Sequence, residues 1–248
     1  MLKEPALAAI EIDPMRPIAP QLRRLLRERI IRNELSADQK ISESEIAEQY
    51  GVSRQPVREA FIRLVDEGLV TVLPQRGTRI RRIGLAAVHD ARFIREAVEA
   101  DIVTLLAERP GLVPVADLRA ILADQRRIAG ADPRDFIASD EAFHRTLAEA
   151  AGKAGIWQRV QGLKAQMDRV RFLSLERFHV RKLIDQHEAI VDGIAAGHVA
   201  AAQRALRLHL REVLKDLPFI AKENPDVFDA LPEGSEERVV RLKGGDPE

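Results

Sequence analysis

Asp140 and His144 stand four residues apart, a spacing that brings both side chains to one side of a helix. His187 follows 43 residues after His144, and His209 comes 22 residues later. One carboxylate and three imidazoles form a donor set for a divalent transition metal such as Zn, Ni, Mn or Fe. Four ligands carried by three helices can close on one ion inside a helical bundle. A second group offers different chemistry. Arg54 and Arg58 are also four apart and share a face, with Gln55 beside them. Arginine can bond O6 and N7 of guanine together, and glutamine can do the same for N6 and N7 of adenine. Arg76, next to Gly77, is placed to reach a phosphate or a minor groove. His89, His179 and His198 have no comparable partners and read as ordinary core or surface histidines.

The second group needs a rigid frame, and the surrounding residues supply one. Leu22, Leu25, Leu26, Ile30 and Ile31 recur at helical spacing. Ser42 with Glu45 three positions on is a capping-box start for a second helix. Gly51 supplies a tight turn. Ser53 is placed to cap a third helix with Pro56 in its first turn, and Val57, Phe61, Leu64 and Val65 form its apolar stripe. Two β-prone runs, 69–73 and 78–83, then flank Pro74-Gln-Arg-Gly77 as a hairpin. Three helices and a hairpin make a winged helix-turn-helix, whose third helix enters a major groove.

The metal-ligand candidates lie in a different setting. From Leu85 to about Leu217 the apolar period is helical throughout, with helices expected near 86–108, 114–129, 134–150, 155–175, 178–196 and 199–216. The divisions read from the sequence are a DNA-binding domain over 15–83, an all-helical domain over 84–218, and an extended or disordered tail over 219–248. The fold class is mostly α.

Charge follows the same division. The chain carries 39 basic and 39 acidic residues, yet Met15–Ile83 holds fourteen basic against nine acidic, leaving twenty-five against thirty elsewhere. The basic third suits phosphate, and the acidic remainder must do something else. There is no cysteine, which rules out disulfides and thiolate metal sites and fits a reducing cytoplasm. No signal pattern or membrane-length apolar run is present.

Gly51-Val-Ser-Arg-Gln-Pro-Val-Arg-Glu-Ala60 and Leu73-Pro-Gln-Arg-Gly-Thr78 resemble the DNA-binding domain of GntR-type bacterial regulators. The resemblance covers residues 18–83 and implies that Arg54, Gln55, Arg58 and Arg76 touch double-stranded operator DNA. Many such proteins place an arginine between two glutamates at the start of the second helix, where this chain has Ser44. Residues 85–217 resemble the FCD ligand-binding domain of the FadR subfamily. The segments that carry it are Arg95-Glu-Ala-Val-Glu99, Asp140-Glu-Ala-Phe-His-Arg-Thr-Leu147, and His187-Glu-Ala-Ile-Val-Asp-Gly-Ile194 with His209-Leu210. The resemblance implies an all-helical bundle in which Asp140, His144, His187 and His209 hold a metal. Fatty-acyl-CoA sensors of the subfamily lack that set. Where the family often has Ser-Gly-Asn, this chain reads Ala151-Gly-Lys153. Effectors in the family are small carboxylates such as sugar acids, hydroxy acids and dicarboxylates. Arg95 matches an arginine on the sensor domain's first helix that suits a carboxylate. Arg171 is a second candidate for that role, with a surface ion pair to Glu176 or a neighbour as its alternative. Trp157 reads as core or interface.

Together these readings describe a cytoplasmic, homodimeric repressor, not an enzyme, that a metal and a small carboxylate regulate. Two alternatives stand beside it: an architectural DNA-binding protein whose helical half only dimerises, and a metal-dependent hydrolase using the same four ligands.

Overall fold

Local signals set the N-terminal head. In the computed structural model, Ser42 accepts from the Glu45 N–H at 3.1 Å while the Glu45 carboxylate accepts from the Ser42 N–H at 3.0 Å, a complete capping box. It starts α2 (Glu43–Tyr50), whose Ile46 and Ala47 share an apolar cluster with Leu22, Leu26 and Ile30 of α1 (Ile18–Ile31). Gly51 ends α2 in the left-handed region, φ 63°, where a side chain would be strained. The turn leads into α3 (Arg54–Asp66). Ser53 holds the N-cap position with extended backbone, but its hydroxyl makes no capping bond, contrary to the sequence expectation. Val57, Ala60, Phe61 and Leu64 are buried, whereas Val65 is exposed, so the stripe is narrower than its spacing suggests.

The wing is three-stranded. β2 (Val70–Leu73) and β3 (Gly77–Ile80) form the expected hairpin. The two-residue β1 (Lys40–Ile41) pairs antiparallel with β3, giving the order β1-β3-β2 with Ile41 and Val72 both opposite Thr78. The structure describes residues 12–73, 77–130, 133–174, 179–212 and 214–229, so Arg76 lies outside the described residues.

A linker at 81–84 leads to a bundle of helices: α4 (Leu85–Ala107), α5 (Val115–Ile128), α6 (Pro133–Ala150), α7 (Ala154–Leu163), α8 (Ala165–Leu173), α9 (Val180–Ala195) and α10 (Val199–Glu212). Its core joins Val103, Leu118, Phe143, Leu147, Trp157, Ile190, Ile194 and Leu206. Trp157 is therefore a core residue. α9 and α10 approach closely at Gly193, where a Cβ would lie 2.7 Å from the Ala202 nitrogen. Among the described residues no helix is long and apolar enough to cross a membrane.

Two expectations fail here. The single helix expected over 155–175 is broken at Lys164 (φ −84°, ψ 3°), with no glycine or proline at the break. Lys164 is buried, and its ammonium sits 2.5 Å from Asp168 and 2.7 Å from Glu141, so charge pairing holds the kink. The tail expected to be extended or disordered over 219–248 begins instead within α11 (Leu217–Glu223), and Phe228 bridges to Ile83, while residues 230–248 lie outside the described residues. Apolar Leu217, Ile220 and Phe228 find a cluster to join, which polarity averaged over 219–248 conceals.

Candidate metal centre and DNA-reading face

α6 presents Asp140 and His144 one turn apart, α9 presents His187, and α10 presents His209. All four are buried. One ligand atom from each lies within 4.8 Å of the others. The His209 Nε2 is 3.0 Å from that of His144 and 3.2 Å from that of His187. Oδ1 of Asp140 faces the same point, 3.3 Å from His187 Nε2, 3.7 Å from His209 Nε2 and 3.9 Å from His144 Nε2. The four sequence candidates are thus brought together.

The rings are aimed by residues that the sequence reading did not single out. His187 Nδ1 lies 2.9 Å from Gln125 Oε1, His209 Nδ1 lies 3.3 Å from Gln186 Oε1, and His144 Nδ1 lies 2.7 Å from the Glu99 carboxylate. The two glutamine oxygens can only accept, and the Glu99 carboxylate faces the third Nδ1 at ion-pair distance, so these neighbours favour the proton on Nδ1 and the lone pair on Nε2. Three lone pairs and a carboxylate oxygen then converge, and Oδ1 of Asp140 has no hydrogen-bond partner. That arrangement is repulsive by itself and is relieved by a cation, so the residues fit a divalent metal. Gln186 carried a usable signal, since it adjoins His187. Glu99 was visible only as the end of the Arg95–Glu99 segment, and Gln125 carried no signal beyond its helical face.

Electrostatics favour the same occupant. Burial pushes the Asp140 carboxyl up, but Arg171 and the neighbouring imidazoles outweigh it and hold the group well below the usual carboxylate range. Burial lowers His187 against the pull of Asp140, and it lowers His209 further with help from His187 and His144. Glu99, also raised by burial, is drawn down to about 2 by Arg95 and His144. A charged Asp140 beside His187 and His209, both held toward the neutral form, matches the protonation state a metal requires.

Arg171 is buried and pairs with Asp140 Oδ2 at 2.7 Å, while Glu176, the partner named in its alternative reading, lies outside the described residues. Arg95, on α4, is buried and pairs with Glu99 at 2.6 Å. Both arginines line one cavity with Asp140, His209, Met167 and Leu183. It measures about 40 Å³, and one water takes about 10–15 Å³ on this scale. The space suits a few small polar groups and not an acyl chain.

At the other end, Arg54 and Arg58 project from the first turns of α3, both largely exposed. Glu43 at the start of α2 bonds Arg58 Nε and Nη2 at 3.0 and 3.2 Å and Arg54 Nη2 at 3.2 Å. It therefore holds both arginines in register, a role the sequence reading did not assign. Gln55 is exposed and donates to Glu59 at 3.1 Å. The free N–H groups at this helix start favour phosphate.

Residues 18–80 match the model of the gntR family of bacterial regulatory proteins, and residues 90–212 match the FCD domain. A Streptomyces ambofaciens HTH-type transcriptional regulator in an unstable DNA locus is 38% identical over 204 residues, covering 82% of this chain and 86% of its own. The Escherichia coli K12 repressor RspR is 34% identical over 222 residues, covering 88% and 96%. This chain belongs to the GntR family and carries an FCD domain. It is a transcriptional regulator, and these relatives are regulators and not enzymes. The solved structure of E. coli McbR/YncC, 18% identical with a TM-score of 0.67, covers 83% of this GntR regulator and 97% of its own chain, and shows the same fold.

Proposed function

We propose that this GntR regulator is a homodimeric repressor whose DNA binding is controlled by a divalent transition metal and a small carboxylate effector. The observation that carries the reading is the buried quartet of Asp140, His144, His187 and His209 opening on a cavity that also holds Arg95 and Arg171. When bound, the metal supplies an electrophilic centre for a carboxylate or hydroxyl oxygen. Arg95 and Arg171 supply the matching forked donors, and Met167 and Leu183 exclude bulk water. An incoming carboxylate competes with Glu99 for Arg95 and with Asp140 for Arg171. Its differential binding to the two arrangements is what can shift the heads.

Arg54, Gln55, Arg58 and Arg76 are assigned to operator DNA. A dimer would set two α3 helices into successive major grooves. Phe93 on α4 and Leu208 on α10 are 66% and 53% exposed, and these neighbouring helices offer apolar surface for a second copy. The repressor sense rests on the likeness to RspR.

The test is a thermal-shift and gel-shift screen of sugar acids, hydroxy acids and dicarboxylates, each with and without Zn, Ni or Mn. A metal-requiring hit that also lowers DNA affinity is expected. Absence of metal binding, or operator affinity unmoved by every carboxylate, defeats the reading.

A further inference from the structure

The FCD match stops at residue 212, yet the chain continues into α11 and then a turn over 225–227 that leads to Phe228 and Asp229. Leu217, Ile220 and Phe228 are buried against Ile83 of the linker, Val88 and Ala91 at the start of α4, and Met167 and Val170 of α8. The run after α11 pairs in parallel with the linker. The Ile83 N–H donates to Val227 O at 2.8 Å, and the Asp229 N–H donates to Ile83 O at 3.0 Å. Arg82 Nη1 donates to the Phe228 carbonyl at 3.4 Å. Gly84 passes so near that a Cβ there would lie 3.4 Å from Asp229 Oδ2.

α8 holds the same linker separately. Arg169 on α8 is fully buried and donates to Arg81 O at 2.6 Å. Burial lowers its guanidinium to about 10, with the Asp229 charge acting in the opposite direction. Gln166 donates to Gly68 O at 2.6 Å, and Arg27 of α1 reaches Gln161 O at 3.0 Å. Domains joined by a short polar linker move relative to one another unless the junction is large and apolar. Here both backbone groups of fully buried Ile83 are bonded to the C-terminal run. Releasing that run leaves both unpaired in an apolar site, which is costly.

We propose that residues 217–229 form a strap that locks the interdomain linker and so fixes the DNA-reading head on the effector domain. The strap lies beyond the FCD-matched span. Its seat includes Met167, which also lines the Arg95–Arg171 cavity, so the strap sits where a change in cavity packing reaches the linker. The claim is independent of what fills that cavity.

The test compares the full chain, its Phe228→Ala variant, a chain ending at Asn224 and a control chain ending at Asp229. Two signals are read: hydrogen exchange of the Ile83 amide, and tryptic cleavage at Arg81 and Arg82. Both are expected to accelerate about tenfold or more in Phe228→Ala and in the chain ending at Asn224, as local opening replaces locked structure. The chain ending at Asp229 should match the full chain, and amides of α9 should exchange alike in all four. Should Phe228→Ala fail to fold, the pair of shortened chains decides. Equal Ile83 exchange and equal cleavage in the chains ending at Asn224 and at Asp229 overturn the strap.

Discussion

Arg171 pairs with Oδ2 of Asp140 at 2.7 Å while Oδ1 of the same carboxylate faces three imidazoles. One aspartate therefore joins the candidate metal quartet to the wall of the cavity that Arg95 and Arg171 line. Removing the Arg171 charge leaves the buried Asp140 carboxylate without its closest cationic partner. Arg171→Met is expected to destabilise the metal-free protein by about 3–5 kcal/mol, with much of the loss recovered when Zn takes over the countercharge. Urea unfolding with and without Zn measures both quantities. A metal-free variant as stable as the parent would show that the pair contributes nothing.

The imidazoles give the pH dependence. His187 and His209 are held below the ordinary value of 6.5 in the folded chain. The unfolded chain then binds more protons in the interval, so stability rises with pH. Their contribution is complete above pH 6.5 and is lost as pH falls toward the depressed folded values. Protons and metal compete for the same Nε2 lone pairs. The Tm of the metal-free protein should fall on moving from about pH 7.5 to about 5.5. Added Zn should raise it least at the acid end. In His187→Ala the slope should flatten and the bound metal, read by elemental analysis, should drop while duplex binding persists. Full metal content in that variant would remove His187 from the ligand set.

Arg58 is the better-held of the two exposed arginines, with two bonds to Glu43. If it reads a guanine edge, Arg58→Ala costs about 1–3 kcal/mol of operator binding and relaxes one base preference. Operator selection from a random pool, before and after the change, reads both effects. A loss that is uniform across sequences would assign Arg58 to phosphate.

Glu43 makes a different prediction because it carries charge of the wrong sign for DNA. Its bonds to Arg58, then to Arg54, keep it ionised below the usual carboxylate range. Glu43→Gln frees both guanidinium groups for phosphate. Affinity for an unrelated duplex should rise, the salt slope should steepen by about one, and the ratio of operator to unrelated binding should fall. If that ratio holds steady across salt concentrations, Glu43 does not position the arginines.

The legible part of this chain is what local chemistry dictates. Ser42 with Glu45, Gly51 and the Arg54–Arg58 spacing act within a few residues of themselves, so the head could be read almost residue by residue. Asp140 and His144 were legible as a pair for the same reason. That His187 and His209 reach them depends on how α6, α9 and α10 pack, which spacing allows but does not force. Glu99 and Gln125 come from α4 and α5 and meet the rings only through the tertiary fold. Lys164 breaks a helix through contacts with Glu141 and Asp168, not through its own propensity. β1 is two residues long, too short for any period. The C-terminal strap was hidden because Leu217, Ile220 and Phe228 are sparse among polar neighbours and gain a cluster only when Ile83 and Met167 are already in place.

Gly193 tests whether that packing sets the site. Within a helix, alanine is favoured over glycine by roughly 0.8–1.0 kcal/mol, so Gly193→Ala should stabilise the protein if space allows. A Cβ there would lie 2.7 Å from the nitrogen and 2.9 Å from the Cα of Ala202, and backbone cannot rotate aside. α9 and α10 must then separate, at a cost of about 1–3 kcal/mol in place of the gain. His187 lies less than two turns before Gly193, and His209 about two turns beyond Ala202. The separation therefore widens the 3.2 Å gap between their Nε2 atoms. Gly193→Ala is expected to lower Tm and to weaken Zn binding in titration calorimetry at a temperature where circular dichroism shows the helices intact. A rise in Tm with unchanged Zn affinity would mean that the two helices can spread without disturbing the ligands, and that the α9–α10 approach does not set the metal site.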